Sequence, residues 1–219
     1  LLISSNSSSR GGGERYLVFL ARGLIRLNYE VYALLSDVDY MNIWAKDLSD
    51  EGVIVHRRKL KGLTHRPLRF LQAIYDKRQI KLVSDFCNEI MPEAILVNQQ
   101  YDEDGIDFLM GAIRSNVASV GGVIHMPMTQ GKNSRKFGRI RGFILSRWYR
   151  ANFYRIIFVS KGSQKEFELY YKLNNPTYVV NNGTPFENYI SEEIGGEIMS
   201  RNKPVIGFVG QFCFQKDVM

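Results

Sequence analysis

Apolar and polar positions along the chain fall into short β-type runs separated by longer helical ones. The runs "LLIS" (1–4), "EVYALLS" (30–36), "GVIVHRR" (52–58), "EAILVN" (93–98), "ASVGGVIHM" (118–126), "RIIFVS" (155–160) and "TYVVNN" (177–182) read as strands. Several are continuously apolar rather than alternating, as expected of parallel strands covered on both faces. Between them lie amphipathic stretches at 15–28, 68–90, 106–116, 138–154 and 163–174. In the first, Leu17, Leu20, Leu24 and Leu27 recur at helical spacing. Such alternation predicts right-handed βαβ crossovers and an α/β fold: a Rossmann-like parallel sheet with helices on both faces. The rhythm breaks at 181–203, where turn residues, acids and Gly195-Gly196 suggest a connection between domains, and restarts at "PVIGFVG". The expected division is a domain at 1–185, a linker at 186–203 and the opening of a second domain at 204–219.

A chain of 219 residues suits one large or two small domains. Apolar runs stay well short of the roughly 18 residues that span a bilayer. "LLISSNSSS" lacks the basic start and cleavage site of a secretory signal, and it reads as a strand already under way. With no initial Met and an interrupted tail, both ends read as trimmed. Cys87 and Cys213 form no disulfide framework, which points to a reducing, cytoplasmic setting. His56, His65 and His125 are too scattered for a metal site.

The net charge of +7 is uneven. From Phe108 to Lys165 there are eleven Lys or Arg and no acid. A one-sign block suits a phosphate-rich ligand, an anionic membrane surface or nucleic acid; a solvated helix face explains any single member equally well.

Four places carry candidate chemistry. "SSSRGGGERY" joins the first strand to the first helix, so its glycines admit a ligand close to backbone N–H groups at a positive helix end. It is neither GxGxxG nor a Walker loop, which disfavours a dinucleotide or P-loop site. His125, ending the run "VIHM", lies at the strand edge where α/β sheets bind ligands. "VVNNG" places Asn182-Gly183 after a strand, which a turn alone accounts for. In "GFVGQFCFQKD", Gly210 closes a strand and Lys216 follows within reach of a phosphate.

In this order, the features resemble the retaining family 4 glycosyltransferases of the GT-B fold. "GGGER", the strand entry after "LIRLN", the histidine of "VIHMP", "YRANFYRIIFVSKGSQ", "VVNNG" and "VGQFCFQKD" match the family's successive motifs in register. Asn28 stands where the family usually has Gly. Gln211 replaces its Arg and Asp217 its Gly, and the acidic E-x7-E element that would follow is missing from the chain.

The resemblance implies one half of a two-domain GT-B fold: an N-terminal acceptor-side domain, then the start of a nucleotide-sugar-binding domain. It implies transfer of a sugar from a nucleotide diphosphate sugar, with retention and no required metal or other cofactor. His125 would position the donor sugar, and Lys216 would stabilise diphosphate charge. Gly11, Gly12, Gly13, Gly210 and Gln211 would line the donor, with Gly12 the contact expected first. Lys132, Arg135, Lys136, Arg139 and Trp148 would face a glycan or lipid-linked acceptor or an anionic membrane, with the enzyme peripheral at the inner membrane face. The chain alone is expected to be inactive. The alternatives are a GT-B nucleotide-sugar epimerase and a non-catalytic anion- or nucleic-acid-binding domain; nucleic acid is disfavoured because no stacking platform in a known binding fold is evident.

Overall fold

The computed structural model describes residues 2–4, 11–61, 74–127, 138–152, 154–173 and 175–183. In chain order these form β1 (Leu2–Ser4), α1 (Gly12–Arg26), β2 (Tyr32–Ser36), α2 (Asn42–Asp50), β3 (Ile54–Arg58), α3 (Lys77–Ile90) and β4 (Ala94–Gln99). They continue with α4 (Ile106–Ile113), β5 (Ser119–Ile124), α5 (Gly138–Ala151), β6 (Arg155–Phe158), α6 (Lys161–Tyr171) and β7 (Thr177–Val179). The chain divides into Leu1–Gly183 and Thr184–Met219. The expected linker (186–203) and the segment 204–219 lie outside the described residues, as do Gly210, Gln211 and Lys216.

Every described strand pair is parallel, in the order β3-β2-β1-β4-β5-β6-β7. From β1 the chain steps outward to β3, returns to the other flank of β1, and steps on to β7. Right-handed crossovers then set the helices on opposite faces. Neighbouring residues of one strand serve different cores because side chains alternate: Leu34 belongs to one buried cluster and Leu35 to the other. Leu35 packs with Leu17 of α1 and Trp44 and Leu48 of α2. Leu34 belongs to the cluster on the face covered by α3 to α6, which also includes Val83, Leu109, Tyr149 and Phe167. The sheet is therefore the α/β, Rossmann-like architecture that the pattern predicts, with two helices on one face and four on the other.

Helix ends follow local chemistry. Asp76 caps α3 by accepting from the Gln79 N–H at 3.1 Å, so the helix begins at Lys77. α1 closes in a Schellman motif, with Tyr29 N–H on the Leu24 carbonyl at 3.0 Å and Asn28 N–H on that of Ile25 at 2.9 Å. That motif needs a left-handed residue, and Asn28 supplies it at φ 63°. Asparagine tolerates this conformation better than other non-glycine residues, which accounts for its standing where glycine is usual.

Three expectations need correction. α2 was not anticipated: its only buried large residues are Trp44 and Leu48, one turn apart, too few to print a helical stripe. Leu27, assigned to the apolar stripe of α1, is 69% exposed, because it is the C-cap and the buried face runs through Gly13, Leu17 and Ala21 instead. Trp148 does not face an acceptor or a membrane. It is 6% exposed and, with Tyr149 and Leu145, lies on the sheet-facing side of α5. Arg139 of the same helix is exposed; Lys132, Arg135 and Lys136 lie outside the described residues.

Candidate functional site

The order of strands reverses between β1 and β4, where Leu2, Ile3 and Ser4 lie opposite Leu96, Val97 and Asn98. In an open α/β sheet this switch point leaves a crevice at the carboxyl edge, since the flanking connections diverge to opposite faces. Gly11 at the start of α1, the end of β4 and the residue after β5 all lie at that edge.

From β1 the chain arrives at Gly11, the N-cap of α1. It is extended (φ −79°, ψ 178°) and makes no side-chain cap. Gly11 has no side chain with which to cap the first helical N–H groups, which stand at the positive end of the helix dipole. Gly12 is exposed, and a Cβ there would meet nothing within 4 Å. Gly13 is buried; a Cβ there would run into Gln100 Oε1 and lie 3.5 Å from His125 Cδ2. The second glycine therefore leaves open space at the helix start, and the third lets α1 approach β4 and β5.

His125 is buried at 7% exposure. Its Nε2 lies 2.7 Å from Asn98 Oδ1, and Asn98 Nδ2 donates to the Gly13 carbonyl at 3.2 Å. A carbonyl only accepts, which fixes the Asn98 amide and makes its Oδ1 the acceptor for His125. The imidazole must then carry its proton on Nε2, leaving Nδ1 as an acceptor. Burial pushes the His125 pKa down, with the Glu14 carboxylate pulling the other way, so the ring is neutral at physiological pH. Tyr16, one helical turn past Gly12, packs edge-on to the ring at 5.0 Å between centroids.

The structure thus brings Gly11, Gly12, Gly13 and His125 together at one edge. Asn98 and Tyr16, which the sequence does not single out, join them, as does Glu14 of the first turn of α1. A polar residue ending the apolar run "EAILVN" was the available signal for Asn98. Asn182 and Gly183 are exposed after β7, at the far flank of the sheet.

Next to the site, the turn after β4 holds Asp102, Glu103 and Asp104, and the first turn of α4 holds Asp107, all at most 5% exposed. Each carboxylate answers to a different donor. Tyr171 OH donates to Asp102, whose carbonyl also accepts from Tyr149 OH at 2.6 Å. Arg141 pairs with Glu103, the Gln100 N–H donates to Asp104 at 3.0 Å, and Gln79 donates to Asp107. Among the described residues no group of three or more His, Cys, Asp or Glu could hold a metal ion.

Fold and site define a Rossmann-like α/β unit with an anion-ready helix start beside a buried neutral histidine. No protein-family model matches the chain, and no curated protein matches it by sequence. Among solved structures it is similar to HepE of Anabaena, in complex with UDP and glucose, at TM-score 0.56 and 15% identity over 90% of this chain and 49% of that one. It is also similar to UGT89C1 of Arabidopsis thaliana, complexed with quercetin, at TM-score 0.50 and 16% identity over 92% of this chain and 55% of that one. The likeness is one of fold, and the architecture is that of one half of a GT-B fold. The chain spans about half the length of the solved structures it matches.

Proposed function

We propose that the chain forms the acceptor-side half of a GT-B glycosyltransferase that moves a sugar from a nucleotide diphosphate sugar to an acceptor. The observation carrying this reading is the meeting of the glycine start of α1 with His125, held by Asn98, at the switch point. The structural neighbours, glycosyltransferases of the same fold, support it.

Cleaving the sugar–phosphate bond leaves negative charge developing on the diphosphate. N–H groups at the start of α1 offer that charge fixed dipoles needing no reorganisation as it forms. The open space at Gly12 leaves room for the ligand to approach. His125 Nδ1 accepts a hydrogen bond from a hydroxyl of the donor sugar, which orients the sugar, while Asn98 prevents the imidazole from turning. The motif resemblance gives Lys216, following Gly210 and Gln211, the role of a positive charge on the donor diphosphate in the intact enzyme. Catalysis on this reading is positioning and charge stabilisation, without a covalent intermediate. Retention, membership of family 4, metal independence, a glycan or lipid-linked acceptor and a cytoplasmic location at the inner membrane face complete the proposal. They rest on the motif resemblance and on cysteine usage.

The test is to incubate the intact enzyme with a panel of nucleotide sugars, following hydrolysis and protection against melting, and to read the product anomer by proton NMR. Transfer with retained configuration is expected; failure of every nucleotide sugar to react or protect refutes the reading. Alone, the 219-residue chain is expected to transfer nothing, and micromolar binding of a nucleotide sugar to it by calorimetry would overturn that division of labour.

A further inference from the structure

α5 and α6 pack side by side on the same face of the sheet, joined by Tyr149 and Phe167 at 5.0 Å and by Ser146 Oγ donating to the Tyr171 carbonyl at 3.2 Å. Their outward sides therefore form one continuous surface. On α5 that surface carries Arg139, Arg147 and Arg150, all exposed, interleaved with Ile140 and Phe143 at 57% and 61% exposure. α6, with its C-cap, contributes exposed Lys161, Lys165 and Lys172 around Leu169, which is 71% exposed. α5 contains no acid. The two acids of α6 are half-buried, and Glu168 is taken up by Gln164 Nε2 at 3.1 Å and by the Thr177 hydroxyl. The core side of each helix, through Leu145, Trp148 and Phe167, is fully used by the sheet. The protruding apolar side chains are thus surplus to folding.

We propose that this α5–α6 surface docks on an anionic lipid bilayer. Six exposed cations unrelieved by an exposed acid on either helix complement a negative headgroup layer. Ile140, Phe143 and Leu169, set among them, match the boundary between headgroups and acyl chains, where an amphipathic face inserts apolar groups while its cations stay at the phosphates. A nucleic-acid backbone would use the cations and leave the aliphatic Ile140 and Leu169 with nothing to enter. Trp148, buried beneath the surface, plays no part in the docking. No helix among the described residues is long and apolar enough to cross a membrane, so the contact is lateral. The inference rests on the proposed function only for its membrane location; it concerns the opposite side of α5 from the sheet and none of the residues at the switch point, so vesicle binding and sugar transfer can fail separately.

The test uses the 219-residue chain in flotation with vesicles of phosphatidylcholine alone, or mixed with phosphatidylglycerol, at physiological salt. Binding to the mixed vesicles and not to the neutral ones is expected. Removing one cation should weaken binding about fivefold, the equivalent of ~1 kcal/mol per Lys or Arg near an anionic surface. The combined variant R139E/R147E/K165E should lose roughly a hundredfold or more. The variant I140S/F143S/L169S keeps every charge; it should lose at least about tenfold, since it removes the inserted apolar area. All six positions are solvent-facing, and circular dichroism checks that both variants remain folded. Equal binding to neutral vesicles, no binding at all, or full retention by I140S/F143S/L169S would each overturn the proposal. So would duplex DNA binding that matches vesicle binding and ignores the apolar substitutions.

Discussion

Replacing Asp102 by asparagine is expected to stabilise the protein at pH 8 while changing little at pH 4. Burial pushes the Asp102 carboxyl up to about 7 from its ordinary 3.8; the hydroxyl of Tyr171 opposes that rise and the Glu103 carboxylate adds to it. A carboxyl whose folded pKa lies above its unfolded one favours the folded state when protonated. That stability is complete below about 3.8, is lost as the pH climbs, and is gone above about 7. The gap corresponds to about 4 kcal/mol as an upper bound. One carboxylate oxygen accepts from Tyr171, and the other is buried with no hydrogen-bond partner. In the protonated acid the hydrogen occupies that second position, and the asparagine NH2 occupies it at every pH. D102N therefore imitates the protonated form and escapes the loss. Thermal melts from pH 4 to pH 8 should show the wild type falling and the variant flat. For a unit of this size the separation at pH 8 should be on the order of 10 °C. A wild type whose stability does not fall across that window, or a D102N variant less stable at pH 8, would refute the reasoning.

On the proposed sugar-transfer reading, His125→Ala should lower transfer about tenfold or more. Asn98→Ala, which strands the buried His125 N–H, should act in the same direction; unchanged rates in both would remove the histidine from the site. Gly111→Ala sets a methyl group 2.6 Å from Val83 Cβ and 2.9 Å from the Ile80 carbonyl, neither of which can swing aside. Separating α3 from α4 should cost ~1–3 kcal/mol, offset by about 1 from alanine's helix propensity, and a urea midpoint no lower than wild type would contradict this. Burial pushes the Cys87 thiol up to about 12, so in a C213S background iodoacetamide at pH 8 should modify it only after urea is added; prompt labelling of the native chain would show otherwise.

Strand existence was legible because parallel strands buried on both faces print continuous apolar runs such as "AILV" and "RIIF". What stayed hidden was set by contacts between distant residues. Asn98 meets the Gly13 carbonyl 85 positions away, and Tyr171 reaches Asp102 across 69. The acidic run Asp102–Asp107 gave no signal of burial, since composition alone marks such residues for solvent. Trp148 misled for a related reason: among arginines it resembles an interfacial residue, and only its phase with Leu145 and Tyr149 turns it toward the sheet. The glycines of "GGGER" were legible as a group, but their division of labour was not. It depends on Gln100 and His125 standing beside Gly13 and on empty space above Gly12.

The turn after β4 touches both ends of the molecule's business. Gln100 abuts Gly13 and frames the crevice, while two residues on, Asp102 grips tyrosines of α5 and α6, and Glu103 holds Arg141 of α5. These grips are buried, so the outer helices and the carboxyl edge of the sheet cannot shift independently without exposing charge. The turn therefore ties the α5–α6 pair to the carboxyl edge of the sheet, so that a displacement of one is transmitted to the other.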